Sequence, residues 1–369
     1  MNSRDELTPI DEPANLFVGG EFYYDERWKA AQPTIPEDGA IFLNGGKACL
    51  TVICDYLRDR GIQRVLLPSY LCPTIIDTLE ACGLNCDYYA VKADFSIDVH
   101  DLGQQLRANH AVYFINYFGF SPSPSVLAYL DGLRQQHRVL IEDNAQAGFT
   151  PRTDGDFVFN SLRKLCPYDG GYLETTLNVQ PFLEAYQGRE NRRLPLIRQY
   201  RSQLREYLFT DQSDHEALEA LYTQAEAYYT IDPVVLGDAG ERQQIERLDW
   251  PAIKHVRRQN YARLLQLIAG NRAITPIFPQ LQADNMPLGL PVYVQGNMRD
   301  QLNEYLGEHG IGLTIHWEDL ATDPRLQGHA LAKEMANRIL TLTVDQYTSD
   351  EQLEYLAQKL ADFAAISHT

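Results

Sequence analysis

The sequence predicts an α/β protein with a mostly parallel sheet, flanking helices and a smaller C-terminal α+β domain. Between Ala40 and about Thr175, short apolar runs typical of strands alternate with helical patterns, as expected of βαβ units. The apolar run Arg138–Ile141 is typical of a short buried strand in a parallel sheet. The chain of 369 residues is long enough for one large core and a smaller domain, and its 44% hydrophobic content is ordinary for a globular protein.

The first 35 residues alternate polar and aromatic positions without a clear period, most visibly between Asn15 and Tyr24. We expect this segment to form an arm or hairpin that lies on the main body. The predicted organisation is therefore an N-terminal arm at 1–35, a large domain at 36–250 and a small C-terminal domain at 251–369.

Five strands are predicted in the large domain. Arg64–Leu67, Asp87–Val91 and Ala111–Ile115 are separated by helical patterns, and Arg138–Ile141 and Asp156–Phe159 are predicted as two successive strands. Residues Val179–Arg247 then have a helical pattern, with a loop expected at Gly237–Gly240. We expect this region to bridge the two domains and to contribute to a dimer face. The acidic side chains between Asp211 and Glu226 indicate a solvated helix face.

The C-terminal region predicts an α+β domain that ends in a helix. After Pro251 the pattern favours a long helix, then a strand at Leu290–Val294 and a helix from about Met298 to His309. The run Ser349–Gln352 can form the capping box of the last helix, whose apolar face is predicted to contain Leu353, Leu356, Leu360 and Phe363.

Charge and cysteine content exclude several classes of function. A net charge of −18 opposes binding to nucleic acid or to an anionic membrane, so any anionic substrate needs a local cluster of donors. The first residues lack an apolar signal core, and no apolar run approaches the roughly 20 residues of a membrane helix. We therefore expect a soluble cytoplasmic protein. Its six cysteines form no C-x-x-C pair, so neither a metal site nor a disulfide framework is predicted.

A carboxylate and an amine are predicted to meet at one edge of the sheet. Asp143 follows the strand that begins at Arg138, and Lys164 follows the next strand, so both fall at the carboxyl edge where open α/β sheets bind ligands. A lysine there can hold an aldehyde cofactor as a Schiff base. An aspartate can keep the pyridine nitrogen of that cofactor protonated, so the pair indicates pyridoxal phosphate (PLP) chemistry.

Three segments carry a resemblance to a known family: Asp143–Gln146, Ser161–Lys164 and Asp169–Gly171. In order and spacing they resemble the cofactor-binding core of the DegT-type aminotransferases, which are fold type I PLP enzymes best known for aminating keto sugars on nucleotide carriers. The resemblance implies that Lys164 is the Schiff-base lysine and Asp143 the partner of the pyridine nitrogen. It also implies that Gln146 donates toward the phenolic oxygen of the cofactor and that Ser161 contacts its phosphate.

A second cofactor segment is the turn Asn44–Leu50, in which Gly45 and Gly46 let the backbone approach a ligand at the start of a helix. It resembles the turn that holds the cofactor phosphate in the family. Lys47 stands where the family often has arginine, so we expect phosphate contacts from the backbone and no bidentate contact from this side chain.

Further site residues are assigned by the same resemblance, each with a structural alternative. Tyr70 or Cys72 is expected to cover the cofactor ring, the alternative being packing at a strand end. Asn116 and Tyr117 end another strand at the same edge and either contact substrate or pack the strand exit. His316 either contacts substrate or is an internally bonded histidine.

The resemblance implies a homodimeric aminotransferase that moves an amino group from an amino acid, expected to be glutamate, to a carbonyl acceptor by a ping-pong mechanism. The Gly-x-Asn-Tyr-Arg segment of sugar-aminating members has no convincing match here, so the expected acceptor is either a keto sugar or a different carbonyl compound. The alternatives are a PLP-dependent lyase, dehydratase or decarboxylase, and a non-catalytic regulatory protein that has kept the fold.

Overall fold

The computed structural model describes residues 17–35, 40–150, 155–210, 214–231 and 234–366, with the backbone alone at 230 and 231. The described part of the N-terminal arm lies on the body of the protein. Its short strand β1, Val18–Gly19, pairs in parallel with Ile311–Gly312 near the C-terminus. Further along, Ala30 N donates to the carbonyl of Arg247. The rest of the predicted arm, 1–16, is outside the described residues.

A seven-stranded sheet forms the centre of the large domain. Its strands are β2 (Ile41–Leu43), β3 (Arg64–Pro68), β4 (Asn85–Tyr89), β5 (His110–Ile115), β6 (Leu140–Asn144), β7 (Phe157–Asn160) and β8 (Gly171–Thr175). The order across the sheet is β2-β8-β7-β6-β5-β3-β4, and β8 is antiparallel to both of its neighbours while the remaining pairs are parallel. The carboxyl ends of β2, β3, β5, β6 and β7 therefore meet at one edge, as the predicted fold class requires.

Four helices follow strands of this sheet and cover it: α1 (Gly46–Asp59), α2 (Pro73–Ala81), α3 (Val99–Gln105) and α4 (Pro124–Gln135). One side of α1 is apolar and buried, and it packs against the sheet through residues such as Val52, Ile53 and Leu57. Buried β5 and β6 have almost no exposed side chain, because helices and the C-terminal region cover both faces.

The five predicted strands are all present, with small shifts in their bounds. The largest difference concerns β6, which continues through Glu142, Asp143 and Asn144 although these residues are polar. Asn116 donates through Nδ2 to both Glu142 and Asn144, so the polar end of the strand is bonded internally. Hydrogen bonds between neighbouring strand ends thus let a polar segment stay buried.

Helices α5 (Gln180–Leu183), α6 (Arg193–Thr210), α7 (His215–Ile231) and α8 (Ala239–Glu246) follow the large sheet. Helices α6 and α7 pack on each other as a hairpin with a small core of their own, formed by Leu194, Ile197, Tyr200, Leu218 and Ala225. The acidic side chains Asp214, Glu216 and Glu219 are exposed as predicted, while Asp211 is outside the described residues. Glu226 departs from the predicted solvated face, because its carboxylate accepts from Arg193 Nη2 at 2.5 Å and is half-buried.

The C-terminal region contains α9 (Trp250–Leu267), β9 (Ile274–Pro276), β10 (Leu290–Val294), α10 (Arg299–Glu308), β11 (Ile311–Gly312), α11 (Ala330–Arg338), β12 (Ile339–Leu342) and α12 (Asp350–Ile366). An antiparallel sheet of order β12-β10-β9 supports these helices. The predicted capping box is confirmed, since Ser349 N donates to Gln352 Oε1 at 2.8 Å and Gln352 N donates to Ser349 Oγ at 3.3 Å.

One continuous apolar core contains residues of both the central sheet and the C-terminal region, from Val18 to Phe363. The division at 1–35, 36–250 and 251–369 stays a prediction. None of the described helices has the length and apolarity needed to cross a membrane. Within the described residues, no group of three His, Cys, Asp or Glu side chains is arranged to hold a metal ion.

Candidate active site

The candidate site lies at the carboxyl edge of the central sheet, where β6 and β7 end side by side. Asp143 pairs in register with Phe159, so the turn that follows β7 begins next to the carboxylate. This turn is a short 3-10 helix, Leu162–Lys164. Leu162 N donates to the carbonyl of Gly170 at 2.8 Å, which ties the Lys164 turn to the Asp169–Gly171 segment. Adjacent strands therefore bring the predicted amine and carboxylate together.

The Asp143 carboxylate is buried, with 4% of the residue exposed. Its Oδ2 accepts from the hydroxyl of Tyr113 at 2.5 Å, and its Oδ1 accepts from the backbone N–H of Ala145 at 2.7 Å. Burial raises the pKa of Asp143, while these two hydrogen bonds and the charge of Lys164 act in the opposite direction. The carboxylate is thus held in one orientation, and no cation within the described part of the chain forms an ion pair with it.

Lys164 is half-buried at the end of the turn that follows β7. Burial lowers the pKa of Lys164, and the neighbouring Cys72 and Asp143 partly oppose that change. Burial lowers the pKa of the His316 imidazole to about 3, and the nearby charge of Lys164 acts in the same direction. Its Nδ1 lies 2.8 Å from the hydroxyl of Thr341. At neutral pH the imidazole of His316 is therefore neutral, and the nearby amine of Lys164 loses its proton more easily than usual.

Gln146 has an unused donor. Its Oε1 accepts from the backbone N–H of Phe118 at 3.0 Å, which fixes the orientation of the amide. Its Nε2 is buried and has no hydrogen-bond partner among the described residues. An unpaired buried N–H group is costly, so this donor indicates that a ligand atom completes the site.

The turn between β2 and α1 forms a close backbone cradle beside Ser161. Gly45 has φ of +125°, a conformation that favours glycine. A Cβ on Gly46 would lie 3.4 Å from Ser161 Cβ, so a larger residue would crowd the serine. Gly45 provides no side-chain cap for α1, and the first N–H groups of this helix remain suited to an anion.

The Lys47 side chain points away from this cradle. Its Nζ lies 3.5 Å from the backbone carbonyl of Tyr229 in α7 and 5.8 Å from the centre of the Tyr229 ring. The side chain of Lys47 is thus directed toward α7, as expected if only its backbone contacts a phosphate.

No protein-family model matches this sequence, and no curated protein matches it. Solved structures, in contrast, match over nearly the whole chain. Spr1654 from Streptococcus pneumoniae, in its PLP form, gives a TM-score of 0.61 at 15% identity, covering 88% of this chain and 87% of that chain. The sugar aminotransferase CalS13 from Micromonospora echinospora gives 0.60 at 16% identity, covering 88% and 87%.

A DegT DnrJ EryC1 StrS aminotransferase from Brucella abortus gives a TM-score of 0.59 at 17% identity, covering 88% of this chain and 86% of that chain. The chain has the fold of these aminotransferases. The predicted resemblance is therefore confirmed for the fold, the α/β architecture of fold type I PLP enzymes, although so few residues are identical.

Within this aminotransferase fold, the structure separates the two residues expected to cover a cofactor ring. Tyr70 is fully buried, and its hydroxyl donates to the carbonyl of His316 at 2.9 Å. Its ring packs on Phe95 and Trp317. Cys72 is half-buried and contributes to the electrostatics of Lys164. The structure thus favours Cys72 over Tyr70.

Asn116 and Tyr117 are placed at the predicted edge, but their side chains are bonded inside the protein. Asn116 is fully buried, and its Nδ2 donates to Glu142 at 2.9 Å. The Tyr117 hydroxyl donates to the backbone carbonyl of Tyr70. The Tyr117 hydroxyl is thus committed to an internal bond, which favours the structural alternative for this residue. Asn116 keeps a buried Oδ1 without a partner among the described residues, so its contact with substrate stays a prediction. His316 is bonded internally, through Nδ1 to the hydroxyl of Thr341, and it also lies near Lys164.

Several residues that support the site were not predicted. Tyr113, which donates to Asp143, lies on β5 two residues before the register partner of Asp143. The positions of Tyr113 and Asp143 on adjacent strands could therefore have predicted this contact from the sequence. Arg257 and Gln346 both donate to the carbonyl of Leu165, at 3.4 and 2.8 Å, and so hold the residue that follows Lys164. No local pattern reveals those two contacts, because they join positions far apart in sequence.

Proposed function

We propose that the protein is a PLP-dependent aminotransferase that moves an amino group from an amino acid, expected to be glutamate, to a keto sugar or a related carbonyl compound. The observation that carries the proposal is the placement of the Lys164 amine and the buried Asp143 carboxylate at one sheet edge, with the unpaired donor of Gln146 beside them. Two neighbours in fold support it. Spr1654 is known in PLP and PMP forms, and CalS13 is a sugar aminotransferase.

The residues present fit PLP. Asp143 is suited to the protonated pyridine nitrogen, because its carboxylate is buried and no cation of the described residues contacts it directly. Gln146 Nε2 is a free donor for the phenolic oxygen. Ser161 and the first N–H groups of α1 suit the phosphate, since a helix N-terminus attracts anions.

When bound, PLP supplies an electron sink for the carbon that loses its proton. Lys164 Nζ is the general base, because burial lowers its pKa and so increases the fraction of neutral amine. Asp143 keeps the proton on the ring nitrogen, while Tyr113 and Ala145 N–H hold its two oxygens in place. His316 stays uncharged, so it adds no competing cation near the amine.

The experiment that tests the proposal is the release of 2-oxoglutarate from glutamate in the presence of PLP and a panel of keto sugars and other carbonyl acceptors. We expect release that depends on both the acceptor and Lys164. Lys164→Ala should remove turnover, whereas Lys92→Ala, which removes an exposed amine from the surface, should keep it.

Three outcomes would overturn the assignment. Turnover that persists in Lys164→Ala would show that another group moves the proton. Conversion of an amino acid without any carbonyl acceptor would instead indicate a PLP-dependent lyase, dehydratase or decarboxylase. A protein that binds no PLP would be the non-catalytic alternative.

A further inference from the structure

Two cysteines lie where helices α1 and α2 pack against each other. All six cysteines of the chain are free thiols. Cys54 lies on the buried side of α1, at helical spacing from Leu50 and Leu57, and no part of it is exposed. Helix α2 packs against α1, and Cys82 follows the last turn of α2. The fold therefore places one thiol on each of two neighbouring helices.

Cys82 continues the buried face of α2. Its N–H donates to the carbonyl of Thr78 at 3.1 Å, so its side chain lies one turn after Thr78 and Leu79, which are both buried. Cys82 itself is half-buried, unlike Cys54. Gly83 follows the helix with φ of +79°. Because the ends of a helix adjust more easily than its interior, the Cys82 thiol can move without disturbing the rest of α2.

The thiols of Cys54 and Cys82 are hydrogen-bonded to each other. This bond lowers the pKa of Cys82, and the charges of Arg58 and Lys47 act in the same direction. Burial and the charge of Asp55 oppose the change. Lys47, Cys54 and Arg58 lie on one side of α1, because their spacing is helical. The same hydrogen bond, together with burial, raises the pKa of Cys54, so Cys82 is the thiol of the pair that ionises first.

The environment of Cys82 differs from that of three other cysteines. Burial raises the pKa of Cys49, and it raises the pKa of Cys86 and of Cys166 to about 12 each. The thiolate is the form of cysteine that attacks peroxides and disulfides, so these three thiols react slowly. Cys86 is half-buried, like Cys82, and its charge also acts on Cys54. Cys86 is therefore the matched comparison for Cys82, since it is a thiol of the same region that stays protonated.

We propose that Cys82 and Cys54 are a redox-active pair, which hydrogen peroxide converts to a reversible disulfide between α1 and α2. Redox-sensitive sites combine a solvent-accessible thiolate with a second thiol in contact with it, and this pair has both features. The inference does not depend on the proposed aminotransferase function, because neither thiol takes part in that chemistry. The cross-link joins the helix that begins at the Gly45 cradle to the helix that begins directly after Cys72.

The disulfide forms in two steps, with peroxide as the oxidant. In the first step the Cys82 sulfur attacks one peroxide oxygen and the O–O bond breaks. Cys82 becomes a sulfenic acid, and the other oxygen takes up a proton and leaves as water. In the second step the Cys54 sulfur attacks the Cys82 sulfur, the S–O bond breaks, and the hydroxyl group leaves with the Cys54 proton as a second water. The two thiols lose two electrons and two protons, and peroxide is reduced to water.

The first test treats the PLP-loaded protein with a small excess of hydrogen peroxide, blocks the remaining thiols with iodoacetamide and maps the peptides by mass spectrometry without reduction. We expect a cross-link between Cys54 and Cys82, an intact mass lower by about 2 Da before blocking, and return of both thiols on addition of dithiothreitol. Cys86→Ser should form the same cross-link, whereas Cys82→Ser should form none. The cofactor-free protein should give the same result, so the test is decided even if the protein binds no PLP.

The variant Cys54→Ser separates the two steps. Without the second thiol, the sulfenic acid at Cys82 should persist, and dimedone, a reagent for sulfenic acids, should label it. In the wild type, labelling of Cys82 should be lower by about tenfold, because Cys54 consumes the sulfenic acid. Circular dichroism of each variant checks that the helices are intact.

Four results would overturn the proposal. The first is the absence of a cross-link in the wild type, and the second is a cross-link through Cys86 in place of Cys54 or Cys82. The third is a cross-link between Cys54 and Cys82 that forms only when the protein is first unfolded in urea, which would mean that the folded helices keep the thiols apart. The fourth is equal dimedone labelling of Cys82 in the wild type and in Cys54→Ser, which would show that Cys54 does not act on the sulfenic acid.

Discussion

Removal of the charge of Asp169 should strongly destabilise the protein, because this carboxylate joins the Lys164 turn to the helical hairpin. Asp169 is buried, with 4% exposed, and its oxygens accept from Arg193 and from Arg201 Nη2, the latter at 3.0 Å. Arg193 keeps Glu226 as a second partner. Arg201 is 2% exposed, has Asp169 as its ion-pair partner among the described residues, and already has two buried nitrogens without partners.

The change Asp169→Asn keeps the size of the side chain and leaves Arg201 as a buried charge without its counter-ion. Breaking a buried ion pair in this way costs about 3–5 kcal/mol. Native domains are stable by only about 5–15 kcal/mol, so the loss is a large share of the total. The buried Arg193 also loses one of its two carboxylate partners, so we expect a loss of stability in the upper half of that range.

Urea denaturation followed by circular dichroism measures the effect. The matched control is Asp131→Asn, which removes a carboxylate from an exposed ion pair with Arg134 at 3.0 Å. That control should change the free energy of unfolding by less than about 1 kcal/mol. Arg201→Met should recover part of the loss in the Asp169→Asn background, because the unpaired charge is then gone. A loss below about 1 kcal/mol for Asp169→Asn would refute this account of the network.

Three further predictions concern the cofactor, the pH and the assembly. Asp143→Asn should retain some PLP, measured by absorption, while turnover falls by several orders of magnitude, because a neutral amide cannot keep the ring nitrogen protonated; unchanged turnover would contradict this role. His316 has its pKa lowered from 6.5 to about 3, so the unfolded chain takes up a proton before the folded one and stability falls as the pH drops through this window. His316→Gln should therefore lose less stability than the wild type between pH 7 and pH 4 in urea denaturation, and an equal loss would count against a buried neutral imidazole. The resemblance to DegT-type enzymes implies a homodimer, which light scattering should detect; a monomer would remove the expectation of a shared site.

The fold and the pairing of Asp143 with Lys164 could be predicted because both depend on local patterns. Alternating strands and helices indicate a parallel sheet, and residues at the carboxyl ends of its strands meet at one edge. The turn at Gly45 could also be predicted from the sequence, because a strand-to-helix turn is encoded by adjacent residues.

Long-range pairing explains what the sequence did not reveal. Glu226 lies in an acidic run that indicates solvent exposure, yet Arg193 reaches it from a position 33 residues earlier. From the sequence, Tyr70 and Cys72 were equivalent candidates for covering the cofactor ring. The structure distinguishes them, because Trp317 from the C-terminal region packs on the ring of Tyr70. Such contacts depend on how distant segments pack together, which local periodicity does not encode.

The most direct test of the central claim is an absorption spectrum of the purified protein between about 300 and 500 nm, before and after addition of glutamate. PLP held by Lys164 should give a band near 400–430 nm that is absent in Lys164→Ala. Glutamate should shift that band to shorter wavelength as the cofactor takes up the amino group. A band that ignores every amino donor, or no band after incubation with PLP, would contradict the assignment of this protein as an aminotransferase.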